Sequence, residues 1–409
     1  MIPKTNTPSQ NPANYHPISL LNFMGKIFAK ILNNKLVKYL EDNQILKETQ
    51  HGFRKKRGTS TLLANLYERI AREKGTDRKT LITLVTRDVK KAFDKVWHDA
   101  ITYKLLRTGI DTKMVRILTN FLHARKAYVR VNKHKGETFN LSAGVPQGDV
   151  LSPTLFLLVG NDAPDPTHND HQKNFAMQYA DDFTQVIISK FNTRLTPAHK
   201  EIHKRHVEEE IQKQNEYEQK WKIKTNIDKF TITTIGFYVA PAIEINNNIL
   251  PYTNESKLLG LHFTRNNFFV KQVDKNTEKA NAELKKLYRF KLLKKKLKVR
   301  LYKALILPIL LYPVVPLNIC SKTQVKKLQV VQNKAIRWIT DERWPVICPI
   351  DIRQEELKIE PIDFRLRRLA EGVWNKIETE NSPFHIQNVN LQMPLPHKWF
   401  PSSYLKTFE

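Results

Sequence analysis

Residues 175–188 read Phe-Ala-Met-Gln-Tyr-Ala-Asp-Asp-Phe-Thr-Gln-Val-Ile-Ile. β-Prone residues on both sides of a tight acidic turn predict a β-hairpin whose turn carries Asp181 and Asp182. Two carboxylates about 4 Å apart repel each other by roughly 4 kcal/mol at an effective dielectric near 20. A divalent cation would remove that repulsion, and Mg²⁺ prefers such oxygen ligands. Because an isolated Asp-Asp pair is more often an ordinary turn, the metal interpretation depends on a further acid elsewhere.

A third acid, Asp88, follows the β-prone stretch 81–86, which reads Leu-Ile-Thr-Leu-Val-Thr. After Asp88 the apolar residues take the helical spacing i, i+3, i+4 and i+7, at Phe93, Val96, Trp97 and Ala100. We therefore expect Asp88 at a strand-to-helix junction, where a buried strand holds its carboxylate toward solvent or ligand. A helix N-cap is the alternative, since aspartate fills that position well.

Two loops have compositions typical of ligand contact. In residues 141–155, Gly144 and Gly148 flank Pro146 and Gln147, and glycine lets the backbone approach a ligand closely. Residues 50–61 place four cations between two glycines, next to hydroxyl groups. That pattern suits a phosphate-contacting loop, although a solvated basic turn has the same composition.

The composition indicates a polyanionic partner. The chain has 409 residues, 68 Lys plus Arg against 40 Asp plus Glu, and a formal net charge of +28. This excess of positive charge favours nucleic acid. The two cysteines, Cys320 and Cys348, exclude a disulfide framework and fit a reducing compartment. The longest uncharged apolar run, residues 305–317, contains three prolines and is too short to span a bilayer.

Residues 270–340 differ from the rest, because helical spacing dominates and cations are dense. Nine cations lie between 285 and 300: Lys285, Lys286, Arg289, Lys291, Lys294, Lys295, Lys296, Lys298 and Arg300. Four leucines form an apolar stripe: Leu284, Leu287, Leu293 and Leu297. We expect one face to pack and the other to follow a phosphate backbone. A solvated face or a nuclear-import signal would have the same pattern.

Asp88, Asp181 and Asp182 together predict a two-metal site. Such a site stabilises both the attacking and the leaving oxygens of a phosphoryl displacement. With the large positive charge, the chemistry that fits is nucleotide polymerisation.

The same motifs resemble those of reverse transcriptases from non-LTR, LINE-type elements of the jockey group. Residues 88–98 resemble the first catalytic motif, residues 144–148 with 151–153 the template and nucleotide loop, and residues 179–182 the catalytic turn. Further similar segments are residues 15–21 and 50–61 in the fingers and residues 301–303 and 329–337 in the thumb. The resemblance covers nearly the whole chain, in order.

The resemblance implies an α+β, right-hand polymerase with fingers, a palm built on an antiparallel sheet, and a helical thumb. The expected boundaries are residues 1–78 for partial fingers, 79–265 for the palm with inserted fingers segments, and 266–340 for the basic thumb. No role is assigned to residues 341–409. The family's chain continues upstream, so we expect this sequence to be an N-terminally truncated copy.

Site roles follow from the resemblance, residue by residue. Asp88, Asp181 and Asp182, helped by the Val89 carbonyl, would bind two Mg²⁺ ions, with Mn²⁺ as a substitute. The nucleotide-binding residues would be Arg54, Phe93, Gln147, Gly148 and Lys229. Among these, Phe93 matches the aromatic residue that excludes a ribose 2′ hydroxyl, and Lys229 matches a candidate proton donor to pyrophosphate. The nucleic-acid-binding residues would be Lys285, Lys286, Arg289, Lys294, Lys295, Lys296 and Lys298.

The implied function is RNA-directed DNA polymerisation in target-primed reverse transcription. The partners would be an RNA template, a DNA primer and deoxynucleoside triphosphates, without a membrane, and the oligomeric state is left open. We expect an intracellular protein that acts in the nucleus and assembles with RNA in the cytoplasm. The alternative is a catalytically inactive remnant of a retrotransposon that only binds nucleic acid.

Overall fold

The computed structural model describes residues 2–3, 11, 14–74, 79–123, 125–131, 134–236, 243–245, 248–250, 252–264, 270–318, 320–342 and 348–378. Of the C-terminal region, residues 343–347 and 379–409 lie outside the described residues. The strands are β1 Ile2–Pro3, β2 Tyr15–His16, β3 Thr80–Asp88, β4 Lys126–Val131, β5 His134–Asn140, β6 Phe175–Tyr179, β7 Asp182–Lys190, β8 Thr231–Ile235, β9 Ile243–Ile245, β10 Asn248–Leu250, β11 Glu255–Leu258 and β12 Leu261–Thr264. The α-helices are α1 Phe23–Asp42, α2 Thr59–Lys74, α3 His98–Arg107, α4 Thr112–His123, α5 Leu151–Gly160, α6 Pro197–Lys220, α7 Val270–Leu287, α8 Lys295–Leu301, α9 Leu307–Leu311, α10 Val314–Asn318, α11 Lys322–Thr340, α12 Ile350–Leu357 and α13 Ile362–Glu378.

A four-stranded sheet in the order β6-β7-β3-β8 forms the centre of the fold. All three pairings are antiparallel. β3 and β7 pair along their whole length, from Thr80 opposite Lys190 to Asp88 opposite Asp182. The predicted hairpin is β6–β7, and it lies next to the strand that ends at Asp88.

Both faces of the sheet are covered, so β3 and β7 are buried along most of their length. Because successive side chains alternate between faces, Ile82 and Leu84 pack on one side with Leu66 of α2. Val85 packs on the other side with Ile211 of α6. An antiparallel strand with one solvent-exposed face alternates between buried and exposed residues. β3 and β7 show no such alternation, because both faces of the sheet are covered.

The helix predicted from Phe93 to Ala100 begins only at His98. Residues 90–94 form turns, and Lys91 has a positive φ of 53°. The loop that contains Gly144 explains the difference: Gly144 N donates to the Val96 carbonyl at 2.8 Å, and Val145 N donates to the Phe93 carbonyl at 2.7 Å. The Phe93 and Val96 carbonyls, which would accept hydrogen bonds from within a helix, thus accept them from this distant loop.

The C-terminal helices share the core of the sheet. Leu284 of α7, Ile336 of α11 and Leu366 of α13 belong to the same apolar cluster as Ile82 and Leu84. The predicted α+β class with an antiparallel sheet is confirmed. The boundaries at residues 78, 265 and 340 stay predictions. None of the helices in the described part of the chain is long and apolar enough to cross a membrane.

Candidate active site

The acidic turn is a two-residue connection between β6 and β7. Tyr179 pairs with Asp182 across the hairpin, which leaves Ala180 and Asp181 as the central residues. Ala180 has a φ of 57°. Positive φ is uncommon and strained for a residue with a Cβ, so neighbouring contacts have to hold this turn.

Asp88 lies directly opposite Asp182, as the last pair of the β3–β7 ladder. Residues paired in an antiparallel ladder have Cα atoms about 4.5–5.5 Å apart. Asp181, in the turn, precedes Asp182. The structure therefore brings the three predicted acids to one end of the sheet, although Asp88 is separated from the turn by more than ninety residues of sequence.

Burial and repulsion from neighbouring carboxylates raise the pKa values of Asp181 and Asp182. Burial, followed by repulsion from Asp181 and Asp88, raises the pKa of Asp182 to about 6. The pKa of Asp181 is also raised, by burial first and by Asp88 as a further cause. Lys229 opposes both effects, and its ammonium lies 3.0 Å from Asp88 Oδ2. Lys229 therefore neutralises only part of the negative charge that the described residues bring to this site.

This donor set fits divalent cations. Clustered carboxylates repel one another, a metal ion removes that repulsion, and their oxygens are hard ligands. Val89 follows Asp88 and forms an antiparallel bridge with Thr225. The two hydrogen bonds of that bridge run from Lys90 N to the Lys224 carbonyl and from Asn226 N to the Asp88 carbonyl, so neither uses the Val89 carbonyl. Among the described residues, no group of three His, Cys, Asp or Glu side chains has its donor atoms already gathered as a metal site. The carboxylates would have to rotate around the ion.

Phe93, five residues after Asp88, is half-buried. Its ring lies 5.2 Å from the Phe156 ring and 6.4 Å, edge-on, from the Phe53 ring. Packing on Phe156 fixes the orientation of the ring. The part of the ring that stays exposed is the part that the predicted steric exclusion of a ribose 2′ hydroxyl would require.

The predicted nucleotide loop packs on the turn that follows Asp88. A Cβ on Gly144, whose φ is 86°, would lie 2.6 Å from the Asp94 carbonyl oxygen, so only glycine fits there. Gln147 Nε2 donates to Asp94 Oδ1 at 2.7 Å. Gly148 has a φ of 97° and is exposed. The loop thus lies against the segment that carries Phe93.

Arg54 has a different environment from the one predicted. Its side chain is 4% exposed, and Nε and Nη2 donate to Glu41 at 2.8 and 2.6 Å. Nη1 donates to the carbonyls of Lys47 and Gln50. Because its guanidinium is committed to these partners, the structure gives Arg54 a structural role in place of the predicted contact with the triphosphate.

The predicted basic face is divided between two helices. α7 ends at Leu287, a 3-10 turn spans Tyr288–Phe290, and α8 begins at Lys295. Four predicted cations are exposed and have no described carboxylate partner: Lys285, Arg289, Lys294 and Lys296. Two others are exposed but paired, Lys286 with Glu283 and Lys295 with Glu356.

Lys298 was predicted to contact nucleic acid, and its burial shows that this prediction is wrong. It is 0% exposed and donates to Asp341 Oδ1 at 2.6 Å. Leu297, predicted in the apolar stripe, is 42% exposed. The turn between α7 and α8 changes the helical phase, which turns Lys298 inward and Leu297 outward.

Sequence reasoning missed Gln50, which contacts the acidic turn from a segment far upstream. The only local signal was a glutamine two residues before a glycine, at the start of a stretch dominated by cations. That composition predicts a contact with phosphate and gives no sign of a contact with the acidic turn.

Comparison with known proteins gives consistent matches. Residues 2–263 match the family described as reverse transcriptase (RNA-dependent DNA polymerase). The probable RNA-directed DNA polymerase from transposon X-element of Drosophila melanogaster is 28% identical over 350 residues, covering 84% of this chain and 37% of that protein. The RNA-directed DNA polymerase from mobile element jockey of Drosophila melanogaster is 26% identical over 388 residues, covering 92% and 41%. A solved telomerase from Candida tropicalis, in complex with a TWJ fragment of telomeric RNA, has a TM-score of 0.40 and 11% identity, covering 90% of this chain and 55% of that one. The chain spans about two fifths of the length of the two curated relatives.

Proposed function

The chain belongs to the reverse transcriptase (RNA-dependent DNA polymerase) family, and from that premise we propose that it is the polymerase portion of a jockey-like non-LTR retrotransposon protein. Its activity is RNA-directed DNA synthesis from a primer 3′ hydroxyl, in target-primed reverse transcription. The observation that carries the proposal is the pairing of Asp88 with Asp182 at the end of the ladder, with Asp181 in the adjoining turn.

Asp88, Asp181, Asp182 and the Val89 carbonyl are the groups that would hold two Mg²⁺ ions. When bound, these ions stabilise the attacking and leaving oxygens of the displacement. The primer 3′ hydroxyl gives its proton to solvent water, its oxygen forms a bond to the α-phosphorus of the deoxynucleotide, and the bond from that phosphorus to pyrophosphate breaks. The leaving pyrophosphate takes up a proton, and we assign Lys229 as the donor because its exposed ammonium lies beside Asp88.

Nucleotide selection is assigned to the surface formed by Phe93, Gln147 and Gly148. The Phe93 ring would lie under the sugar, where a 2′ hydroxyl would collide with it. The exposed backbone of Gly148 and the amide of Gln147 would contact the nucleotide or the template base. The Gln147–Asp94 hydrogen bond supports this assignment, since it holds the loop against the segment that carries Phe93.

Template and primer binding is assigned to the exposed cations of the α7–α8 segment, namely Lys285, Arg289, Lys294 and Lys296. Lysine and arginine that neutralise phosphates release counterions and bind without regard to sequence. The formal net charge of +28 supports a polyanionic partner.

Primer extension with purified protein on poly(rA)/oligo(dT) tests the proposal. The wild type should extend the primer when Mg²⁺ or Mn²⁺ is supplied, and Asp181→Asn should abolish extension. Asp170→Asn is the matched control, because its side chain is fully exposed. Primer binding without extension by the wild type would favour a remnant that only binds nucleic acid.

A further inference from the structure

The acidic turn is held from outside by a short segment, residues 49–52, that runs beside β6. Gln50 forms a parallel bridge with Gln178, in which His51 N donates to the Gln178 carbonyl at 2.8 Å and Gln178 N donates to the Thr49 carbonyl at 2.9 Å. This segment extends the sheet by one residue pair, just before the turn.

The side chain of Gln50 reaches the turn itself. It is 2% exposed, and its Oε1 accepts hydrogen bonds from Ala180 N at 3.1 Å and from Gly52 N at 2.8 Å. Its Nε2 donates to Gln178 Oε1 at 3.1 Å. One buried amide therefore satisfies three groups, and one of them is the N–H of the residue with the strained φ.

Gly52 allows this approach. A Cβ at position 52 would lie 2.4 Å from Ala180 N, so no side chain fits between the segment and the turn. Backbone and side chain thus meet at Ala180, the residue before Asp181. A turn residue with positive φ persists only where its surroundings determine it, and Gln50 provides the polar part of those surroundings.

We propose that Gln50 is a positioning residue, which holds the Ala180–Asp181 turn so that Asp181 and Asp182 face Asp88 in a geometry ready for metal. It touches neither substrate nor metal and acts through the backbone of the turn. The proposal rests on the proposed function for its consequence in catalysis, but the contact itself can be tested without activity.

Gln50→Met removes the acceptor and donor while keeping the length and burial of the side chain. Hydrogen exchange of peptides that cover Ala180 should be about tenfold faster or more in this variant, because the N–H loses its partner. Binding of Mn²⁺ to the free protein, followed by electron paramagnetic resonance, should weaken several-fold. Gln50→Glu keeps an acceptor for Ala180 N, and the Gln178 amide can turn to donate to it, so this variant should restore protection of Ala180.

Gln332→Met is the matched control. Gln332 is 0% exposed and also joins two partners, since it accepts from the Tyr302 hydroxyl at 2.9 Å and donates to the Glu360 carbonyl at 2.9 Å. It lies in α11, away from the turn. Its substitution should lower stability while leaving Ala180 exchange and the Mn²⁺ concentration for half-saturation unchanged.

The proposal is overturned if Gln50→Met leaves Ala180 exchange or Mn²⁺ binding unchanged, or if Gln332→Met changes them equally. If Gln50→Met does not fold, Gln50→Asn replaces it, because the shorter amide cannot reach Ala180 N. If the wild type neither binds Mn²⁺ nor extends a primer, the proposed function fails, and the exchange of Ala180 alone then decides the role of Gln50.

Discussion

Lys229 Nζ lies 3.0 Å from Asp88 Oδ2, which places an ammonium beside one of the three acids. Asp88 is also the acid that pairs with Asp182 across the ladder. The lysine therefore neutralises part of the charge that a metal ion would neutralise. Because its side chain is 63% exposed, it is free to move away when a cation or a nucleotide arrives.

Removing Lys229 should have opposite effects on metal binding and on catalysis. Lys229→Ala should strengthen Mn²⁺ binding to the free protein by up to about fivefold, since an exposed ion pair is worth at most about 1 kcal/mol. The single-turnover rate of nucleotide addition should fall, because the donor to pyrophosphate is lost. Lys222→Ala, which removes a cation that lies over the Trp97 ring, should change neither. Weaker Mn²⁺ binding in Lys229→Ala would contradict the idea that Lys229 and the metal ion compete for the charge of Asp88.

The raised pKa of Asp182 makes stability depend on pH. Its ordinary value is 3.8 and its value in the fold is about 6. Between these values the unfolded chain has lost the proton while the folded chain keeps it. The free energy of unfolding therefore falls as pH rises through this window and stays low above it.

Asp182→Asn removes that cost. It should raise the free energy of unfolding at pH 8 by on the order of 1–2 kcal/mol, after allowance for partial exposure. At pH 4 the gain should be much smaller, and urea unfolding at the two pH values measures the difference. Asp170→Asn should show no such gain. An equal gain at both pH values would mean that charge is not its cause.

Replacing Phe93 should relax the choice between sugars. Phe93→Val should lower the preference for deoxynucleotides over ribonucleotides by about tenfold or more, since even one lost steric contact of about 1.4 kcal/mol has that effect. Use of deoxynucleotides should stay largely intact. Phe121→Val, another half-buried phenylalanine packed on the same core, is the control. Unchanged discrimination would reduce Phe93 to a packing residue.

The α7–α8 cations should separate into binding and structural residues. Lys294→Gln with Lys296→Gln should flatten the log–log salt dependence of duplex binding by up to about two units, as each phosphate contact contributes roughly 0.9. Fluorescence anisotropy over a range of salt measures this slope.

Lys298→Gln should behave differently, because Lys298 is buried against Asp341. It should lower the free energy of unfolding by about 1–3 kcal/mol and leave the salt slope unchanged. A flattened slope in this variant would return Lys298 to the nucleic-acid surface.

The sequence by itself determined the hairpin, the strand that ends at Asp88 and the acids they carry. Runs of β-prone residues on both sides of an acidic pair are local patterns, and they predict the two strands and the turn between them. The strained form of that turn depends on contacts from residues 49–52. The glycines at 144 and 148 predicted a close approach of the backbone to a ligand, which stays a prediction. What the structure shows is Gly144 close to the backbone of Asp94.

Only the tertiary structure decided what each polar side chain contacts. The sequence predicts Arg54 and Lys298 as exposed cations. In the structure both are buried, Arg54 in an ion pair with Glu41 and Lys298 in an ion pair with Asp341. The partner of Gln50 lies 130 residues away in sequence, at Ala180. No local periodicity encodes such a pairing. A buried polar group is defined by the distant group that satisfies it, and chain packing alone brings the two together.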